Sequence, residues 1–294
     1  MSQPSSFKPQ SLLVPIVLLI VAMVSFQVGA ALAKQLFPVV GAGGATALRL
    51  GIASIMMLLV WRPWRMRPNA REARVIVMYG LAMGWMNFFF YLSLNRIPLG
   101  IAVALEFTGP LAVAMMASRR PVDFLWIALA VLGLIALLPL EHVAKPLSPL
   151  GIAYGAAAAV CWALYIIYGQ KAGSAHGGQT AALGTMIAAI VLVPVGVADA
   201  GRALFSLSVL PVGCAVALLS SALPYTLEMY AMSRVPTRTF GVLMSLDPVL
   251  AALSGLVFLS ESLSVTQWGA IASIMFASAG SAATGGRQVP ALAD

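Results

Sequence analysis

Arg96-Ile97-Pro98-Leu99-Gly100-Ile101-Ala102-Val103-Ala104-Leu105-Glu106-Phe107-Thr108-Gly109-Pro110 returns in outline 138 residues later, where Arg234-Val235-Pro236 leads on to Asp247-Pro248. In this register Pro110 falls on Pro248 and Gly109 on Asp247. Upstream, Lys34 matches Lys171 at an offset of 137. Downstream, Trp126 matches Trp268 at an offset of 142, so the second copy holds a few more loop residues. Each copy also places one carboxylate near the middle of an apolar run. An echo of fixed period in an apolar chain predicts a transporter of two structural repeats, with its site between them.

The background supports that reading. With 61% hydrophobic and 9% charged residues and a mean hydropathy of +0.96, the chain is no soluble globular domain. Apolar runs long enough to cross about 30 Å of hydrocarbon as helix fall near 12–33, 42–61, 75–95, 98–117, 122–140, 148–169, 179–198, 208–231, 239–259 and 264–284. These predict an all-α polytopic membrane protein of ten transmembrane helices, since lipid-facing backbone must satisfy its own hydrogen bonds. Five spans per half is an odd number, so the second half enters the membrane from the opposite side. Two inverted five-helix repeats follow: 1–140, a hinge at 141–149 (with Glu141, His142, Lys145, Pro146 and Pro149), 150–284, and a tail at 285–294.

The net charge of +8 is a topology signal. With the N-terminus inside, Lys8, Arg62, Arg65, Arg67, Arg71, Arg74, Arg119, Arg120, Lys171, Arg234, Arg238 and Arg287 are cytoplasmic. Lys34, Arg96, Lys145 and Arg202 face outward, and Arg49 lies within a span. Twelve against four satisfies the positive-inside rule with both termini cytoplasmic, and this distribution argues against a nucleic-acid partner. Lys8 before an apolar run, with Ala31-Leu32-Ala33 after it, also resembles a signal peptide. The run is too long for one, and its removal would break the repeat.

Charge near the bilayer centre costs about 2.5–3.5 kcal/mol on insertion scales. Glu106 on helix 4 and Asp247 on helix 9 therefore stand out. Pro110 leaves the Glu106 carbonyl without its helical donor, and Pro248 does the same to Met244. Each acid thus sits beside opened backbone. Arg49 lies in the outer third of helix 2, Lys34 ends helix 1 and can snorkel outward, and Glu228 follows Pro224 by one turn on helix 8. Gln27, Asn87, Tyr91, Trp162 and Tyr165 can complete a cavity. Structural readings stand beside these. Glu106 and Arg49 can form an ion pair, Glu228 can pair with Arg234 or Arg238, and Trp162 and Tyr165 can serve packing alone. A core with both signs of charge suits a zwitterion such as an amino acid. Arg49 or freed amides would meet its carboxylate, and Glu106 or Asp247 its ammonium or an exchanged proton.

Ala104-Leu105-Glu106-Phe107-Thr108-Gly109-Pro110-Leu111-Ala112-Val113-Ala114 and Ser118-Arg119-Arg120-Pro121-Val122-Asp123 resemble the drug/metabolite transporter superfamily, in its ten-helix branch with two EamA-type repeats. So do Ala222-Leu223-Pro224-Tyr225 with Glu228-Met229, and Pro236-Thr237-Arg238-Thr239-Phe240-Gly241. Within that branch the stretches closely resemble exporters of threonine and homoserine, and the resemblance runs over nearly the whole chain. This resemblance implies a bacterial inner-membrane efflux carrier for small neutral amino acids, driven by the proton gradient. It also implies a central cavity and peripheral helices 5 and 10. One departure is Asp247, where the similar exporters carry Glu before Pro. Because relatives in the superfamily carry other metabolites or drugs, a broader efflux carrier is the alternative.

Other chemistries lack their motifs. There is no H-E-x-x-H, G-x-S-x-G or P-loop lysine, and Gly41-Ala42-Gly43-Gly44 reads as a loop entering a helix. An enzyme is not expected. Cys161 and Cys214 lie inside predicted helices as buried packing residues, and His142 and His176 are too sparse for a metal cluster. No metal or cofactor is expected. Gly269, Ala272, Ser273, Gly280 and Ser281 give helix 10 a small-residue face, which a homodimer and internal packing explain equally well.

Overall fold

The computed structural model of the chain describes residues 10–116, 121–137, 147–172, 177–232, 234–235, 240 and 243–284. Among these residues the regular structure is helical throughout, with no strand. Helix α1 (Gln10–Trp61) carries both of the first two predicted spans. Lys34 therefore does not end a helix. The chain stays helical until Gly41, whose φ of 68° and ψ of 172° make the bend. Glycine takes this left-handed φ without a Cβ clash, and the Asp199 carboxylate sits where a Cβ on Gly41 or Gly43 would point.

Helix α2 (Ala70–Leu94) begins earlier than the apolar run suggested. The cause is a reciprocal cap: Glu72 N–H donates to Asn69 Oδ1 at 2.9 Å and Asn69 N–H donates to Glu72 Oε2 at 3.0 Å. The fourth predicted span is two helices, α3 (Leu99–Glu106) and α4 (Thr108–Met116), parted at Phe107. Pro110 lies just past that break, as its missing N–H requires. Then come α5 (Pro121–Leu137), α6 (Pro149–Ala172), α7 (Gly177–Ala200) and α8 (Val209–Ala217). A wide turn over Leu218–Ala222 joins α8 to α9 (Leu223–Met232). The ninth predicted span is also interrupted: a turn at Ser245–Leu246 precedes α10 (Asp247–Leu259), which opens with Pro248 in its first turn. Asp247 is therefore at a helix start rather than mid-helix. Last is α11 (Val265–Thr284).

Five helical stretches among the described residues are long and apolar enough to cross a membrane: Leu13–Trp61, Ala70–Leu94, Pro149–Ala172, Gly177–Phe205 and Val209–Glu228. Leu99–Val113, Phe124–Gly133 and Asp247–Leu259 are apolar but shorter, and the last begins only after the turn before Asp247. Large apolar side chains such as Leu59, Phe124, Val160, Ile190, Val257 and Phe276 point outward. Such an outer face suits lipid, and the chain is a multi-pass membrane protein.

Small residues bring the helices together. Gly84 meets Ala188, Gly100 meets Ala252 and Gly109 meets the Ala159 backbone. The small face of α11 is used internally, where Gly280 packs on Trp126 and Ser273 Oγ donates to Leu129 O at 2.7 Å. Cys214 is exposed and Cys161 only partly buried, so the expectation of two buried cysteines fails: Cys214 lies on the outer face of α8. Lys8, Arg119, Arg120, Arg238, Arg287, His142, His176 and hinge residues 141–146 lie outside the described residues.

Candidate functional site

The breaks bring one acid to the end of α3 and another to the start of α10, and both face α1. Glu106 and Asp247 are each 6% exposed, while Gln27, Arg49 and Tyr91 are fully buried. Gln27 Nε2 donates to Asp247 Oδ1 at 2.9 Å. Asp247 also stands at a helix N-terminus, where the backbone dipole favours negative charge. Glu106 lies within Coulomb range of both Arg49 and Asp247, and Glu228 within range of Asp247. Neither Glu106 nor Glu228 accepts a hydrogen bond from another described residue.

Arg49 is the cation of this cluster. Its guanidinium lies over the Phe26 ring at 4.9 Å and the Tyr91 ring at 5.4 Å. Nε donates to Ser221 Oγ at 3.0 Å and Nη2 to Ser220 O at 2.7 Å. No carboxylate among the described residues comes within 4.0 Å of it, so the structural alternative of a Glu106–Arg49 ion pair is not made.

The remaining candidates border the cluster. Asn87 Nδ2 donates to Met83 O at 2.7 Å, one turn back, and its side chain also meets Tyr225. Trp162 packs edge-on against Phe107, centroids 5.5 Å apart. Tyr165 stacks on Tyr79 at 4.8 Å, and their hydroxyls are 3.3 Å apart. Glu228 lies in range of both of these tyrosines and of Tyr225. Arg234 lies over the Tyr230 ring at 3.7 Å. Eight of the nine side chains singled out in the sequence are thus linked by contact or charge, while Trp162 touches Phe107, next to Glu106.

Sequence reasoning missed Phe26, Ser220, Ser221 and Tyr225, although Pro224 gave a signal for the serines. It also missed the partner of Lys34. Lys34 Nζ pairs with Glu261 Oε1 at 2.5 Å and donates to Ile97 O at 3.3 Å, while Leu99 N–H donates to Glu261 Oε2 at 2.7 Å. This clasp joins α1, the start of α3 and the segment after α10. The lysine is bound rather than snorkelling freely. No group of three metal-ligating side chains occurs among the described residues. What the cluster offers is one buried cation, two buried acids and a half-buried third, a set able to hold a small charged solute or a proton.

The geometry has counterparts among known proteins. The model of the EamA-like transporter family matches residues 149–282. The threonine/homoserine exporters RhtA of Escherichia coli and Salmonella typhimurium are each 53% identical over 281 residues, covering 96% of this chain and 95% of their own. A solved crystal structure only 19% identical superposes with a TM-score of 0.60 over 94% of this chain and 97% of its own, which shows a shared fold. These named relatives are transporters and not enzymes. The chain therefore belongs to the EamA-like transporter family, beside the RhtA proteins.

Proposed function

We propose that this protein exports small neutral amino acids, threonine and homoserine foremost, across the bacterial inner membrane. Identity of 53% over 96% of the chain to proteins named as threonine/homoserine exporters carries the reading. The cluster suits it, because buried Arg49, Glu106 and Asp247 with half-buried Glu228 offer both signs to a zwitterion.

Export proceeds by alternating access between two inverted five-helix repeats, 1–140 and 150–284, about the 141–149 hinge, with both termini cytoplasmic. The packing pattern supports this arrangement. Taking α1 as spans 1 and 2, exchange of the two repeats sends the contact of α2 with α6 onto that of α1 with α8 and α9. The same exchange returns the contacts of α3 with α10 and of α5 with α11 to themselves. A second copy, if the protein dimerises, would sit by Gly269 on α11, which is open.

Coupling is by proton antiport, one proton entering as an amino acid leaves. Glu106 is the carrier we assign, since Asp247 already holds the Gln27 donor and Glu106 has none among the described residues. The test is efflux of preloaded radiolabelled threonine and homoserine from cells lacking their own exporters. Wild type accelerates efflux, and an uncoupler abolishes the gain. Glu106→Gln, at equal membrane abundance, gives none. Well-inserted wild type that expels drugs but neither amino acid would replace this reading with the broader efflux carrier.

A further inference from the structure

Pro224 has no N–H, so it cannot donate to Ser220 O four residues back, or to Leu219 O five back. The chain upstream is already widened, with Leu223 N–H bonded to Leu218 O rather than to the carbonyl one residue later. Turns of this kind occur often at functional sites. Side chains of α1 take both stranded carbonyls. Ser25 Oγ donates to Leu219 O at 2.8 Å, and Arg49 Nη2 to Ser220 O at 2.7 Å. Ser221 Oγ then accepts from Arg49 Nε at 3.0 Å. Two directed bonds and two aromatic faces fix the guanidinium plane.

What remains is a charged donor with no acceptor. Arg49 Nη1 and the Tyr91 hydroxyl are buried close to each other, and among the described residues neither makes a hydrogen bond of good geometry. Burying a guanidinium without an anion is costly, and among the described residues no carboxylate lies within 4.0 Å. A guanidinium N–H and a phenol O–H side by side are the donors that one carboxylate takes.

We propose that Arg49 Nη1 and Tyr91 Oη form the receptor for the substrate's carboxylate, with Ser221 a positioning residue that acts through Arg49. This rests on the amino-acid reading above and adds which end of the molecule goes where: the carboxylate to Arg49, the ammonium to the acids around Glu106. A solute without a carboxylate lacks the group that completes the site.

The experiment uses purified protein in liposomes. It compares homoserine with 2-amino-1,4-butanediol, in which a hydroxymethyl group replaces the carboxylate. Wild type transports homoserine and not the diol. Ser221→Ala raises the KM for homoserine about tenfold, the value of a hydrogen bond to a charged group, while its ligand-free melting temperature stays near that of wild type. Arg49→Lys keeps the charge but loses the fork, and homoserine no longer protects it against heat. Equal transport of homoserine and the diol overturns the proposal and leaves amino-acid export standing. An unchanged KM in Ser221→Ala overturns the positioning role. Transport of neither compound by well-folded wild type overturns both the proposal and the amino-acid reading.

Discussion

Gln27 and Asp247 make a direct side-chain hydrogen bond between α1 and α10 within the candidate site, at 2.9 Å and out of water. Removing the donor leaves a buried carboxylate without its partner, which costs about 1–3 kcal/mol. Gln27→Leu should therefore lower the melting temperature in detergent by several degrees, and Gln27→Glu should lower it further by setting a second acid against the first. A differential scan of the purified variants checks both. Gln27, Arg49, Asn87, Tyr91, Glu106 and Asp247 were legible in the sequence because a polar group in an apolar run is expensive and calls for a reason. Ser220, Ser221 and Tyr225 were not. A serine or tyrosine is cheap in such a helix, and only the tertiary approach of Arg49 or Asn87 gives it a partner. Glu261 escaped for the opposite reason: it lies between apolar runs, where a charge costs little and draws no notice until Lys34 is found beside it.

At the level of elements, prolines and glycines decide how the chain enters the site. Pro110 and Pro248 marked the interruptions, and the breaks fall close by, at Phe107 and at Ser245–Leu246. The sequence did not reveal that α1 would run helical through Lys34 to Gly41, because Gly41-Ala42-Gly43-Gly44 looked like a whole loop when one residue makes the bend. Gly109, just after the α3 break, shows how little room the arrangement leaves. A Cβ there would collide with the Ala159 carbonyl of α6. Backbone cannot yield as a side-chain tip can, and overpacking of this kind costs about 1–3 kcal/mol. Gly109→Val should accordingly lower the melting temperature and the amount of protein in the membrane. Gly269→Val, with nothing within 4 Å of the added carbon, should change neither. Equal losses in the two variants would show that helix propensity, and not the α4–α6 contact, sets the effect.

For the whole molecule, the inverted arrangement we propose fixes which loops would face which side. In a variant without Cys161 and Cys214, Arg67→Cys should resist a membrane-impermeant maleimide in intact spheroplasts and react after permeabilisation. Leu207→Cys, 90% exposed in the segment after α7, should react at once. The opposite pattern would reverse the topology, and equal reactivity would remove the membrane barrier between these segments. In that proposed arrangement, opposed repeats around one polar cluster would let a single acid serve both open states. The most direct measurement of proton-coupled export is proton movement driven by homoserine alone, in liposomes without an imposed pH gradient. A homoserine gradient across wild-type protein should drive protons in the opposite direction, and Glu106→Gln should abolish that flux. Homoserine moving down its gradient with no proton countermovement, or full proton flux in Glu106→Gln, would contradict it.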